Sequence, residues 1–175
     1  MTAPGYPLSL HLVGKKCLVV GVGEEAEQRA RSLVEAGARV RTLARDVSDA
    51  ELDDTWLVVQ TSVDAELAAD LSRRCEARRI FFCAVDQPQH SSYSHLALAR
   101  AGSLTLAIGT EGRVPALGRR LRVELGRLLD EADAASEVER LAALRAATPP
   151  AERREVLARA VADVRLTGEL QFKKP

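Results

Sequence analysis

Hydrophobic positions fall into short runs separated by longer amphipathic stretches. Cys17-Leu18-Val19-Val20 is a run of four closed by a glycine, too short for a helix and unalternated, as in a strand buried on both faces. Glu24 to Ala36 follows with Ala26, Ala30, Leu33 and Val34 at spacings of three and four, which predicts a helix with that face inward. Gly37 stops it, and Ala38–Leu43 reads as a second strand. The rhythm then repeats. Thr55–Gln60 is a strand, Ala65–Ala77 a helix with Leu67, Leu71 and Cys75 inward, and Ile80–Val85 a strand. Leu104–Ile108 is another strand, and Ala116–Leu129 a helix with Leu117, Leu121, Leu125 and Leu128 inward and Pro115 in its first turn. Ahead of all this, Pro7–Val13 is a short strand or extended lead-in. From Asp130 no strand signal remains, and helices are expected over 134–147 and 151–164.

Strands alternating with helices predict an α/β fold, a Rossmann-like parallel sheet flanked by helices, followed by a further helical region and a small all-helical C-terminal part. The expected divisions are 1–112, 113–147 and 148–175. At 175 residues, with 46% hydrophobic and 3% aromatic content, the core must be built mainly from Leu, Val and Ala. Twenty-five basic residues balance 25 acidic ones, which argues against a general nucleic-acid or membrane binder. The N-terminus lacks a signal-like pattern, no apolar run approaches a membrane span, and the expected compartment is the cytoplasm. Cys17, Cys75 and Cys83 have no ligand spacing and read as reduced core thiols.

The chemistry gathers at turns. Gly21-Val22-Gly23-Glu24-Glu25-Ala26 lies between a strand and a helix. Glycine at 21 permits a tight bend, glycine at 23 lets a pyrophosphate approach the backbone, and Ala26 allows close helix packing. The helix N-terminus would then face phosphate. The same glycines would also serve a turn needed only for packing. After the second strand, Asp46 could hold ribose hydroxyls, although it comes late, while Arg45 could favour a 2′-phosphate; the choice between NAD and NADP stays open here. Thr61 opens a polar turn, and Asp86 stands past the end of the Ile80–Val85 strand, where open α/β sheets bind ligands. His90, Tyr93 and His95 follow in a polar stretch. The two histidines could be acid–base or metal-handling groups, or surface residues. The helix after Pro115 carries Arg119, Arg120, Arg122 and Arg127, a solvated face or one suited to a polyanion.

Taken in order, LVVGVGEEAEQRARSLVEAGARV, RRIFFCAVDQP, SLTLAIGTEGRVPALGRRLRVEL and the weaker LRAATPPAERREVL resemble the precorrin-2 dehydrogenase / sirohydrochlorin ferrochelatase family, the module found in siroheme synthase. The resemblance implies NAD-dependent oxidation of precorrin-2 to sirohydrochlorin, with Fe2+ as a substrate metal in some members, in a homodimer. The catalytic aspartate of the family's N-V-x-D motif falls on Asp86. Its many-carboxylate tetrapyrrole would meet Thr110, Arg113, Arg119, Arg120, His90 and Tyr93. The chain departs from the family at Ala84 within the N-V-x-D motif, at Val114, where the family has a serine before proline, and in a shortened stretch before Trp56. Those departures leave two alternatives: a degenerate nucleotide- or tetrapyrrole-binding module, and a chelatase without dehydrogenase activity.

Overall fold

The fold was taken from a computed structural model, which describes residues 5–172. Its first element is β1 (Lys16–Val20), followed by α1 (Glu24–Glu35), β2 (Arg39–Leu43), a single helical turn α2 (Asp49–Leu52), β3 (Thr55–Gln60), α3 (Ala65–Ala77) and β4 (Phe81–Ala84). The four strands are parallel in the order β2-β1-β3-β4. After a 3-10 turn at Pro88–His90 come β5 (Ala97–Ala101) and β6 (Leu104–Ile108), which among the described residues pair only with each other, antiparallel. Three helices finish the chain: α4 (Pro115–Glu131), α5 (Ala134–Ala147) and α6 (Arg153–Ala160).

Two compact units result. One runs to His95 and takes in Gly109–Pro115; the other holds Leu96–Ile108 and the chain from Ala116 onward. The expected division at 112 therefore differs from the structural one, because β5 and β6 form their own sheet and do not extend the parallel one.

The parallel sheet is buried on both faces, as its unalternated strands require. Leu18 and Val20 of β1 join Val58, Phe82, Leu71 and Cys75 in one cluster. Cys17 and Val19 join Val59, Leu57, Ala26 and Leu33 in the other. Helices α3 and α1 thus cover opposite faces. Val34 was expected inward but is 58% exposed: the α1 stripe is narrow, and Ala26, Ala30 and Leu33 fill it. In α4, Leu128 is exposed and only Gly118 is buried. The lead-in before Gly14 forms no strand, yet Leu12 is buried beneath α1's cluster. The last predicted helix is shorter than 151–164.

The turn α2 had no sequence prediction. It is capped by Ser48, whose hydroxyl accepts from Glu51 N, and it is tied to α3 by charge. Arg74 reaches Asp49 at 3.0 Å and Asp70 at 3.1 Å, and donates to the Val47 carbonyl at 2.7 Å. The half-buried guanidinium therefore fixes the path of the chain between β2 and β3, a larger role than an exposed ion pair has.

All three cysteines are free and buried. Burial pushes the Cys75 thiol from 9.0 up to about 12. The folded chain then holds a proton that the unfolded chain releases above about pH 9. Stability is unaffected by this thiol below pH 9 and falls as pH rises through 9 to 12. Denaturant titrations at pH 8 and pH 10.5 should show a larger loss in the wild type than in Cys75→Ala. Equal losses would remove Cys75 as the source.

A tighter constraint lies at the end of β1. The φ of Gly21 is +140°, and a Cβ there would sit 2.1 Å from Thr61 Oγ1. Gly21→Ala should cost about 2 kcal/mol or more, from overpacking and backbone strain together. Adding Thr61→Ala removes the nearest atom and should recover part of the loss in a double-mutant cycle read by denaturant midpoint.

Candidate functional site

β1 ends at Val20, whose carbonyl accepts the Thr61 N–H at 2.8 Å, while Gly21 N donates to Leu43 O at 2.8 Å. The chain then bends through Val22 into Gly23, which has φ +88° and ψ −173°, a conformation open essentially to glycine. A Cβ on Gly23 would meet nothing within 4 Å, so the space beside this turn is free for a ligand. Gly23 caps α1 with no side-chain hydrogen bond, leaving the first N–H groups of the helix without an internal partner. Gly21, Val22, Gly23, Ala26 and Thr42 help line a cavity of about 450 Å³ over this bend. Val22 is 78% exposed, an apolar side chain on the rim. These features fit a pyrophosphate. Glu24 and Glu25 occupy the first turn; Glu25 is held by Arg29 at 2.8 Å, which offsets part of its charge.

A second cavity, about 380 Å³, lies at the carboxyl ends of β2 and β3, lined by Ala44, Arg45, Ser62, Val63 and Asp64. Arg45 pairs with Asp64 at 2.8 Å. Asp46 is exposed and lines neither cavity. Thr61 supports the site from behind: its hydroxyl packs against Gly21 and lies 3.4 Å from the Val20 carbonyl.

Asp86 stands just beyond β4, on the same carboxyl edge of the sheet as Gly21. β1 and β4 are two strand spacings, about 10 Å, apart. Its carboxylate is exposed, on a residue with φ +59°, in a turn closed by Gln87 N donating to the Ala84 carbonyl at 3.1 Å. Aspartate tolerates this left-handed conformation better than most residues. Asp86 lines neither cavity.

Polar residues that the sequence reading passed over hold this edge together. Gln60, fully buried at the end of β3, donates through Nε2 to the carbonyls of Ser62 (3.1 Å) and Asp64 (2.9 Å). Gln87 donates to the same Ser62 carbonyl at 3.3 Å. The Oε1 atoms of both glutamines are buried without a partner. Ser91 and Ser92 take the free N–H groups of β4: Ala84 N donates to Ser91 Oγ at 3.0 Å and Phe82 N to Ser92 Oγ at 2.9 Å. A buried polar residue closing an apolar run, as Gln60 does, is the signal that marked it.

The remaining candidates are scattered. His90 lies in the 3-10 turn, its carbonyl bonded by Ser72 Oγ at 2.8 Å. Tyr93 packs edge-on against Phe81, with centroids 6.3 Å apart; burial pushes its hydroxyl well above its ordinary range, and its oxygen lies 3.4 Å from His95 Nε2. Among the described residues no three His, Cys, Asp or Glu side chains converge as a metal site. Thr110 accepts Arg113 N through its carbonyl in the exposed Gly109–Pro115 loop. Arg119 and Arg120 belong to α4 in the other unit, and Arg120 pairs with Glu124. No helix among the described residues is long and apolar enough to cross a membrane.

Comparison with known proteins agrees with this geometry. An NAD(P)-binding family model matches residues 8–95, about half the chain. A siroheme synthase of Enterobacter sp. (strain 638) is 32% identical over 145 residues, covering 71% of this chain and 32% of that protein. A siroheme synthase of Escherichia coli (strain K12 / DH10B) is 34% identical over 143 residues, covering 70% and 31%. The chain therefore spans about a third of the length of the curated relatives it matches. Among solved structures, SirC, a precorrin-2 dehydrogenase, matches with a TM-score of 0.72 at 20% identity, over 91% of this chain and 90% of that one. At that identity the likeness bears on the fold, which is Rossmann-like α/β. With its glycine turn, open helix end and parallel sheet inside the matched segment, the chain belongs to the NAD(P)-binding family, and its curated relatives are siroheme synthases.

Proposed function

We propose that this chain oxidises precorrin-2 to sirohydrochlorin in siroheme biosynthesis, using a nicotinamide dinucleotide. The observation that carries the reading is a single edge: the open space beside Gly23 and the exposed Asp86 carboxylate both lie at the carboxyl ends of the parallel strands. The siroheme synthase relatives supply the substrate class.

The turn and the N–H groups at the start of α1 would hold the pyrophosphate, and the lining of the second cavity would hold the adenosine ribose. When bound, the nicotinamide ring accepts a hydride, and NAD is the form the family resemblance implies. The part left to the protein is a proton. An Asp86 Oδ atom within hydrogen-bond reach of the macrocycle takes the proton released as it is oxidised, and its exposure allows exchange with water. The same carboxylate would take pyrrole protons if Fe2+ enters as a second substrate. Within the unit that carries Gly21 and Asp86, Arg113 suits the substrate's carboxylates as a charge-assisted donor, Thr110 offers a hydroxyl, and His90 and Tyr93 complete the set read from the sequence there. A homodimer acting in the cytoplasm is the assembly and place this reading carries with it.

Asp86→Asn tests the proton step, because asparagine keeps the shape and tolerates the same backbone conformation. Reduced-cofactor formation, followed by absorbance with precorrin-2, should fall by about 10²- to 10⁴-fold. Dinucleotide affinity and thermal midpoint should stay near wild type. Undiminished turnover in the variant would refute the role of Asp86. Dinucleotide binding with no wild-type turnover would favour a binding module.

A further inference from the structure

We infer that Ser91 is a positioning residue for Asp86: its hydroxyl locks the backbone turn that aims the carboxylate. This rests on the reading of Asp86 as the proton acceptor given above.

Among the described residues, no hydrogen bond or ion pair holds the exposed Asp86 carboxylate. Its direction therefore comes from the backbone that carries it. That turn runs from Ala84 to Gln87 and is closed by Gln87 N on the Ala84 carbonyl at 3.1 Å. Asp86 takes its third position, with φ +59°. Glycine or asparagine ordinarily fills such a position, and another residue persists there when its surroundings fix it.

Ser91 fixes both ends of the turn at once. Its Oγ accepts the Ala84 N–H at 3.0 Å and lies 3.3 Å from the carbonyls of both Ala84 and Gln87, which share its single proton. One hydroxyl thus grips the residues on either side of Val85 and Asp86. Gln87 carries the grip across the sheet. Its amide donates to the Ser62 carbonyl at 3.3 Å, and the neighbouring Thr61 N is bonded to the Val20 carbonyl beside the glycine turn. The turn that aims the acid and the turn at Gly21 are therefore tied to the same two residues. A change at position 91 moves the acid relative to the dinucleotide and leaves the dinucleotide's own turn in place.

Ser92 shows what edge-capping alone looks like. Its Oγ accepts the Phe82 N–H at 2.9 Å and lies 3.3 Å from the Phe82 carbonyl, and it bonds no residue of the turn.

Steady-state turnover of precorrin-2 with the dinucleotide should be measured for the full chain and its variants. Ser91→Ala should lower kcat about tenfold or more, with KM and dinucleotide affinity within about twofold of wild type, the pattern of a displaced reacting group. Ser91→Thr keeps the hydroxyl on an extended backbone that suits threonine, and should recover most of the rate. Ser92→Ala should lower the thermal midpoint by a similar amount with a far smaller loss of kcat. On an Asp86→Asn background, Ser91→Ala should have no further effect on turnover, because it acts through that carboxylate. The same proportional loss in both backgrounds would overturn the inference and leave Asp86 its role. Equal losses of kcat for Ser91→Ala and Ser92→Ala would do the same. Should Ser91→Ala not fold, Ser91→Cys, a weaker donor and acceptor, takes its place in these comparisons. If the wild type does not turn over, or Asp86→Asn turns over like it, this inference falls with the reading beneath it.

Discussion

The ends of β1 and β3 come so close that the first residue beyond β1 can carry no side chain. Gly21 lies against Thr61; Thr61 N on the Val20 carbonyl stitches the end of β3 to β1, and Gly21 N on the Leu43 carbonyl stitches the end of β1 to β2. Three strand ends, β2, β1 and β3, are thereby drawn to one point. From that point the chain must leave upward into Gly23 and α1, which aims the open end of the helix along the sheet's edge. The two cavities lie beside this junction, and their linings include residues that leave it: Gly21 to Gly23 in one, Ser62 to Asp64 in the other.

The local part of the architecture was legible in the residues themselves. Runs such as Leu18–Val20 and Val58–Val59 are unbroken because both faces are covered, and this marks a parallel strand without knowledge of its partners. The two-face covering also explains why Leu71 and Cys75 could be assigned to the core from spacing alone. Other features depend on partners distant in sequence. The α2 turn contains only Asp49–Leu52, too short to show a period, and it is held by Arg74 some 25 residues away. The pairing of β6 with β5, a stretch that gave no strand signal of its own, removed β6 from the main sheet, although Leu104–Ile108 reads as a plausible member of it.

The candidate site divides along the same line. Gly21, Gly23 and Asp86 could be found because strand ends and turn glycines have local signatures. The glutamines were passed over, and only the end of an apolar run hinted at Gln60, since their value lies in convergence: Gln60 from β3 and Gln87 beyond β4 meet at one carbonyl, that of Ser62. Ser91 and Ser92 look like ordinary loop residues until the bare edge of β4 is set beside them. Asp46 shows how a short bend separates neighbours in sequence. Counting along the chain brings an acid near the ribose, but the bend after β2 leaves Arg45 in the cavity lining and Asp46 outside it.

Asp64 joins three jobs in one residue: its carboxylate caps α3 and restrains Arg45, and its carbonyl receives the buried amide of Gln60. A ligand that draws the guanidinium off would return negative charge to a helix start, where such charge is welcome. Releasing the arginine therefore leaves behind no stranded anion, and the cation can swing without loosening the scaffold. Position 45 can therefore change without loosening that framework, while position 64 is held fast by the three contacts it makes.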